Sequence, residues 1–498
     1  MKVILAIDQG TTGTRAYLFN KSGEIVGSAY REITQYFPQL GWVEQDPLEI
    51  WESVEKTIQD ALQKAHLESS AIDSIGITNQ RETVVVWNRK NGVPIFRAIV
   101  WQCRRTMERC KQLQREGYEA TIRAKTGLFL DSYFSATKLE WILKNIPKIK
   151  PLLSKGLLAV GTIDSWILWN LSGGRYHRTD FSNASRTLLF NIRNRQWDKD
   201  LLKLFHIPDS LLPSVQNSSS YFGETQGSGK LKKGIPITGI AGDQQSALFG
   251  QGATQPGTLK NTYGTGCFLL MNLGNKWLLS KNKLITTLGC GDNGNPVFCL
   301  EGSIFMGGAI IQWIRDGLNL IRNSEETEKI AQSIPSTEGV YLIPAFVGLG
   351  APYWNSQVRG SITGLTRATT KAHIIRAGLE ALAYQTRDVI DAMARDTSIN
   401  LKALYVDGGA SKNNFLMQFQ SDILGVKIIR PHIIETTALG AALLSGISTG
   451  FWNFKKNIHK ILNTERIFQP QISNSMREKL WMGWKNAIQQ ILNAHIKT

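Results

Sequence analysis

Residues 6–19, AIDQGTTGTRAYLF, set Asp8 at the end of one apolar run, then a Gly- and Thr-rich turn, then Arg15 in a second apolar run. A β-hairpin turn needs a glycine or two at positions of positive φ. It has no need of three threonines with an acid on one side and an arginine on the other. Backbone N–H groups and hydroxyls converging at such a turn make a cradle for phosphate oxygens. A neighbouring carboxylate can hold Mg2+ directly or through water, because that hard cation takes oxygen ligands. Arg15 can neutralise charge on a group in transfer. An ordinary polar hairpin would show the same two strands, so recurrence of the pattern decides between the readings.

It recurs. Residues 258–272, TLKNTYGTGCFLLMN, again run β, Gly-Thr-Gly turn, β. Two hairpins roughly 250 residues apart, each heading alternating strands and helices, predict a duplicated α/β architecture of two facing halves. The expected division is 1–248 and 249–498. Each half also carries a strand that runs into an acid and then a helix: IPITGIAGDQQSALFG (235–250) with Asp243, and LKALYVDGGASKNNFLMQF (401–419) with Asp407-Gly408-Gly409. Glycines at a strand-to-helix turn let a ligand approach the backbone at the positive end of the helix. Further strands are expected in IDSIGITNQ, TVVVWN, ITTLGC and PVFCLEGS, with a helix from about Phe305. Residues 45–65 open a helix with Asp46 as N-cap, Pro47 at N1 and Glu49 at N3.

Other motifs carry nothing. GCGDNG (289–294) has the spacing of a dinucleotide fingerprint, but the NPVF that follows predicts a hairpin strand where the fingerprint needs a helix. There is no G-x-x-x-x-G-K-[ST] and no metal-ligand spacing among the seven histidines. The five cysteines are odd in number and form no C-x-x-C, which predicts reduced thiols and a cytoplasmic protein. No apolar run reaches the ~18 residues of a membrane span, and MKVILAID predicts a first strand, not a signal peptide. The net charge of +17 is scattered. Lys144, Lys148, Lys150 and Lys155 fall in an expected Pro-broken loop, and no basic stripe interleaves with aromatics, so no specific nucleic-acid partner is expected.

DQGTTGTR, GITNQRE, IVWQCRR, GIAGDQQ, KNTYGTGC and GLGAPYW together resemble the carbohydrate kinases of the actin-like, ribonuclease-H-like ATPase fold, and among them the glycerol kinases. YFSATKLEWILKN and GSITGLTRATTKAHIIRAGLE are similar to that family's two signatures, and the resemblance runs from Val3 to about Trp452. It implies two actin-like domains with the active site between them, ATP and Mg2+ as cofactors, and phosphorylation of glycerol to sn-glycerol 3-phosphate, the first step of glycerol catabolism. Thr11, Thr12, Gly13 and Arg15 are implied as phosphate contacts on one side and Thr265 on the other, with Gly308, Gln312, Gly409 and Asn413 as further nucleotide contacts. Asp8 and Asp243 would hold the metal. Arg81, Glu82, Tyr133, Asp243 and Gln244 would bind the substrate hydroxyls, with Trp101 and Phe268 against its carbons; Asp243 would be the general base. A homo-oligomer, dimer or tetramer, is implied by the same analogy. SGKLKKGIP (228–236) lacks the Gly-Gly-Thr-Arg loop by which some relatives bind fructose 1,6-bisphosphate, and QNSSSYFGETQG (216–227) lacks the phosphorylated histidine of others. A relative acting on a ketopentose or similar polyol, and a non-enzymatic actin-like nucleotide switch or basic anion-binding protein, are the alternatives; GITNQRE with the Trp101 block points away from the first, Asp243 from the second.

Overall fold

The structure is a computed structural model and describes residues 1–227, 229, 231–355, 357–453 and 461–494; Ser228 and Lys230 of the SGKLKKGIP stretch lie outside them. The opening residues form the expected hairpin. β1 (Val3–Gln9) pairs antiparallel with β2 (Gly13–Phe19), which pairs antiparallel with β3 (Ile25–Glu32). α1 (Pro47–Lys64) then returns the chain to β4 (Ile72–Asn79), parallel to β1 on its other side. α2 (Ser135–Asn145) follows. An antiparallel edge strand, β5 (Ser219–Glu224), and a strand parallel to β4, β6 (Pro236–Gly242), complete the sheet in the order β5-β6-β4-β1-β2-β3. α3 (Asp243–Gly250) leaves β6 without a loop. In α1 the Asp46 side chain accepts from Leu48 N at 2.9 Å. Glu49 does not close a capping box; its carboxylate takes the N–H and hydroxyl of Thr34, both at 2.8 Å.

The second half repeats the plan. β7 (Leu259–Tyr263), β8 (Cys267–Gly274) and β10 (Pro296–Ile304) are antiparallel neighbours, with β9 (Ile285–Cys290) added outside β10. Parallel strands β11 (Ala403–Asp407) and β12 (Lys427–Pro431) follow β7, and β13 (Thr464–Phe468) closes the edge antiparallel. Apart from the added β9, the order β9-β10-β8-β7-β11-β12-β13 repeats the first sheet's succession: three antiparallel strands, two parallel ones, one antiparallel edge. GCGDNG is the β9–β10 hairpin turn, as its flanks required. The helix expected from Phe305 begins later, as α4 (Ala309–Gln312), and winds on as a π turn over Trp313–Gly317. The N–H groups of Gly307 and Gly308 bond to the carbonyls of Thr265 and Gly264, at 2.7 and 2.8 Å, so that stretch is stapled to the second hairpin instead of coiling. The expected loop around Lys150 is a short helix, Ile149–Ser154, with Pro151 in its first turn, where the missing N–H has no intrahelical acceptor to lose.

β1 is buried on both faces, which is why it reads as one unbroken apolar run. Val3, Leu5 and Ile7 pack with Ile50, Val54 and Ile58 of α1. Ile4 and Ala6 pack on the other face, against Ala438, Ala441 and Ala442. Those alanines belong to a helix from the far end of the chain, for after α5 (Asn414–Leu424) and β12 the chain crosses back as α6 (Thr436–Ser448) onto the first sheet. There α6 meets α3 backbone to backbone: a Cβ at Gly440 would lie 1.9 Å from the Ser246 carbonyl oxygen, and one at Gly250 2.0 Å from that of Thr436. By strand alternation Asp8 shares the Ile4/Ala6 face, and so points toward the start of α6. Among the described residues no helix is long and apolar enough to cross a membrane, and the five cysteines are buried free thiols.

Candidate active site

The two hairpin turns are built alike. Gly10 N–H bonds to Gly13 O in the first and Gly264 N–H to Gly266 O in the second, both at 2.9 Å. Gln45 Nε2 donates to the Thr11 carbonyl at 2.6 Å and the Trp101 indole N–H to the Thr11 hydroxyl at 2.9 Å. Trp101, expected as a wall for substrate carbons, therefore also fixes the phosphate hairpin. Its ring meets Tyr133 edge-on at 5.5 Å. Thr12 and Thr265 are exposed at the two turn tips. Asp8 and Arg15 are register partners across β1 and β2, and the Arg15 guanidinium lies 4.8 Å over the Tyr30 ring. Burial pushes the Asp8 carboxyl up to about 7, against Arg15; the negative charges of Asp243 and Glu435 push the same way. Asp8, Asp243 and Glu435, the residue just before α6, thus lie near enough for Asp8 to feel the other two charges.

Arg81 and Glu82 follow β4, buried at 3% and 1% exposure. Glu82 has φ +62°, a left-handed conformation that costs a non-glycine residue roughly 1–3 kcal/mol and marks a position held by its surroundings. What holds it is charge. Arg81 NH1 bonds to Glu301 Oε2 at 2.6 Å and to Gln245 at 3.3 Å, its NH2 to Glu301 Oε1 at 3.2 Å, and its Nε lies 3.1 Å from Asp243 Oδ1. Arg186 closes a ring, with Nε on Glu82 Oε1 at 2.6 Å and NH2 on Glu301 Oε1 at 3.1 Å. Burial disfavours the Glu301 carboxylate, but Arg186 and Arg81 outweigh it and hold its carboxyl down at about 2. The guanidinium fork of Arg81 is thereby largely committed to protein, leaving one NH2 hydrogen for a ligand. Glu82 Oε2 accepts no hydrogen bond among the described residues, and is the free acceptor beside it.

Asp243 is the first residue of α3. Its Oδ1 accepts from Gln244 N at 2.8 Å and its Oδ2 from Gln244 Nε2 at 3.2 Å, and the side chain is 30% exposed. The orientation of the Gln244 amide is set by Lys260, whose ammonium donates to Gln244 Oε1 and to Thr262 at 2.8 Å. Burial pulls Lys260 down to about 8, against the attraction of Asp407 and Asp243. Tyr133 is half-buried on a loop pinned by another buried lysine: Lys138 Nζ donates to the carbonyls of Ser132, Tyr133 and Phe134 at 2.6, 2.6 and 2.9 Å. Phe268 is half-buried on β8, in register with Thr262 and Ser303.

Of the residues predicted for the nucleotide, Gly308 is stapled to the second hairpin. Gly409 follows Gly408, whose φ is +82° and whose added Cβ would fall 2.5 Å from Tyr263 O, so this turn abuts the same hairpin. Gly409 itself is exposed, as is Gln312. Asn413 caps α5 through Leu416 N at 2.9 Å, and its Nδ2 bonds to Thr327 at 3.1 Å. No hydrogen bond joins Gln312, Gly409 or Asn413 to the Arg81 cluster among the described residues. Buried Asp407 Oδ1 has no hydrogen-bond partner among the described residues, while Oδ2 accepts from Thr436. Sequence reasoning passed over Arg186, Glu301, Lys260 and Lys138. The available signal was a lone charge in an apolar stretch, as in PVFCLEGS, TLKNTY and NASRTLLF, and, for Lys138, a lysine beside Glu140 in SATKLEW.

Comparison with known proteins covers both halves. Residues 3–250 match the N-terminal domain, and residues 259–449 the C-terminal domain, of the FGGY family of carbohydrate kinases. The chain is 54% identical over 99% of both chains to a protein named glycerol kinase from Clostridium botulinum, and 52% identical, also over 99% of both, to one from Shewanella woodyi. It superposes on the crystal structure of Plasmodium falciparum glycerol kinase with ADP at a TM-score of 0.92 and 37% identity, covering 99% of this chain and 98% of that one.

Proposed function

The chain belongs to the FGGY family of carbohydrate kinases, and from that premise we propose that it transfers the γ-phosphoryl group of ATP to a terminal hydroxyl of glycerol, giving ADP and sn-glycerol 3-phosphate. The observation that carries this reading is the placement of Asp243. It is a part-exposed carboxylate at the start of α3, with one face held by Arg81 and Gln244, beside a buried acceptor and donor pair on Glu82 and Arg81.

A terminal hydroxyl is a poor nucleophile at neutral pH, and a carboxylate within hydrogen-bond reach takes its proton as the P–O bond forms. Asp243 does this here. Its Oδ1 is already engaged by Arg81 and Gln244 N, so Oδ2, with only the weaker Gln244 amide contact, is the oxygen that receives the proton. Arg81, Glu82 Oε2, Tyr133 and Gln244 bind the remaining hydroxyls, and Trp101 and Phe268 enclose the carbon face. Thr11, Thr12, Gly13 and Arg15 meet the phosphates from one half and Thr265 from the other, while Gly308, Gln312, Gly409 and Asn413 serve the rest of the nucleotide. The first half, 1–248, thus carries most of the substrate site and the first phosphate hairpin, and the second, 249–498, the second phosphate hairpin and the adenosine site. Mg2+ fits Asp8 and Asp243: the charge of Asp243 disfavours the Asp8 carboxylate, and such a pair suits a cation that keeps phosphate and water among its ligands. Bound there it would neutralise phosphate charge. A homo-oligomer in the cytoplasm completes the reading.

A coupled ADP-release assay over a panel of polyols and sugars tests it. Glycerol should give the highest kcat/KM; a ketopentose surpassing it would transfer the chain to another substrate class within the family.

A further inference from the structure

The ring of Arg81, Glu301, Arg186 and Glu82 draws three members from the first half and one, Glu301, from the second. Glu301 sits on β10 with Leu270 and Ile285 as its register partners and is fully buried. A carboxylate in such a strand must be paired, and here its two oxygens are shared between two arginines across the junction of the halves. We propose that Glu301 is a positioning residue for the acceptor site: from the opposite half it holds the Arg81 fork, so that Arg81 makes its nearest approach to the base through Nε. This rests on the assignment of Arg81 and Asp243 to substrate and proton made above.

The geometry explains why a second-half residue is needed. Arg81 has two nearby carboxylates of its own half, Glu82 Oε1 at 3.9 Å from Nε and Asp243 Oδ1 at 3.1 Å. A guanidinium freed of Glu301 would pair bidentately with one of them, the geometry Arg prefers with a carboxylate. Pairing with Asp243 would occupy the oxygen that has to take the substrate proton and fill the space for a hydroxyl. Arg186 is the counterweight: it shares Glu301 Oε1 with Arg81 and holds Glu82 Oε1, so Glu82 presents Oε2 outward. The acceptor site is therefore assembled by the second half.

The experiment compares four proteins: wild type, Glu301→Gln, the charge-balanced double variant Arg186→Met/Glu301→Gln, and Arg81→Met as control. Glycerol KM, ATP KM, kcat and the melting temperature are measured for each. Loss of a bidentate charge-assisted pair predicts a glycerol KM raised at least about tenfold in Glu301→Gln, with ATP KM within about threefold of wild type. The double variant, which leaves no unbalanced buried charge, should melt near wild type and still show the raised glycerol KM. An unchanged glycerol KM in whichever Glu301 variant folds overturns the proposal, and so does failure of both to fold, which would make the ring a folding element only. An unchanged glycerol KM in Arg81→Met sinks the underlying substrate assignment instead; a raised one there, beside an unchanged one in the Glu301 variants, removes the positioning role alone.

Discussion

Replacing Asp243 by Asn separates chemistry from binding, and the structure sets the size of each effect. An asparagine with Oδ1 in place keeps the bond from Gln244 N and the approach of Arg81 Nε. Its amide nitrogen, standing where Oδ2 accepts from Gln244 Nε2 at 3.2 Å, then faces another donor. One hydrogen bond is lost, worth about 1 kcal/mol, or roughly fivefold in affinity. The proton acceptor is lost altogether, and a general base contributes typically ~10²–10⁴ in rate. So kcat should fall by at least about 100-fold while glycerol binding, followed by calorimetry, weakens about fivefold. ATP affinity is measured in parallel, because Asp243 also stands where Mg2+ would bind. A kcat within tenfold of wild type beside a large rise in glycerol KM would refute the argument and make Asp243 a binding residue, with the proton leaving directly to a phosphate oxygen.

Three further outcomes are expected. Lys138→Met should raise glycerol KM several-fold by releasing the three carbonyls that fix the Tyr133 loop. Burial pulls Lys138 from 10.5 down to about 8, so between those pH values the unfolded chain binds the extra proton and this group's contribution to stability rises with pH. Over the same range the clip loses a donor, so the wild-type glycerol KM should climb more steeply as pH passes about 8 than that of Lys138→Met, whose remaining change comes from Lys260, also pulled down to about 8; parallel profiles would reject the clip. Propane-1,3-diol should have a kcat/KM at least ~100-fold below glycerol, since its missing hydroxyl leaves Arg81 or Glu82 unpaired in a buried site; comparable values would displace that pair from the substrate. Gly440→Ala should lower the melting temperature by several degrees, because its Cβ would meet the Ser246 carbonyl at 1.9 Å, whereas Gly409→Ala, with nothing within 4 Å, should leave it unchanged. Equal melting of the two would show that the α3–α6 crossing can open without cost.

What was legible beforehand follows from how far each feature reaches along the chain. The hairpins, the β1–α1 start and the GCGDNG turn are decided by residues within about a dozen positions of one another, where periodicity and turn chemistry act. The charge ring is not: Arg81 and Glu301 are 220 positions apart, Glu82 and Arg186 104 apart. A sequence shows only isolated charges in apolar strands, and nothing local says which will meet. The late start of α4 has the same origin, since the N–H groups that would have begun the helix are taken by the second hairpin, some 40 positions upstream. Trp101 was assigned a single apolar face because its donor role depends on where Thr11 arrives in space.

The crossing of α6 onto the first sheet also governs how the chain is made. The Ile4/Ala6 face of β1 is covered by residues 438–444, whereas the sheet to which β1 belongs is complete in sequence at Gly242. At roughly 5–20 residues per second, the ribosome needs about 10–40 s to supply the missing helix. For that interval the nascent first half has its strands but holds one apolar face bare, waiting for a segment still inside the ribosome. The order of synthesis therefore leaves apolar surface of the amino-terminal half uncovered during elongation, and it places the last step of its folding after most of the second half has been made.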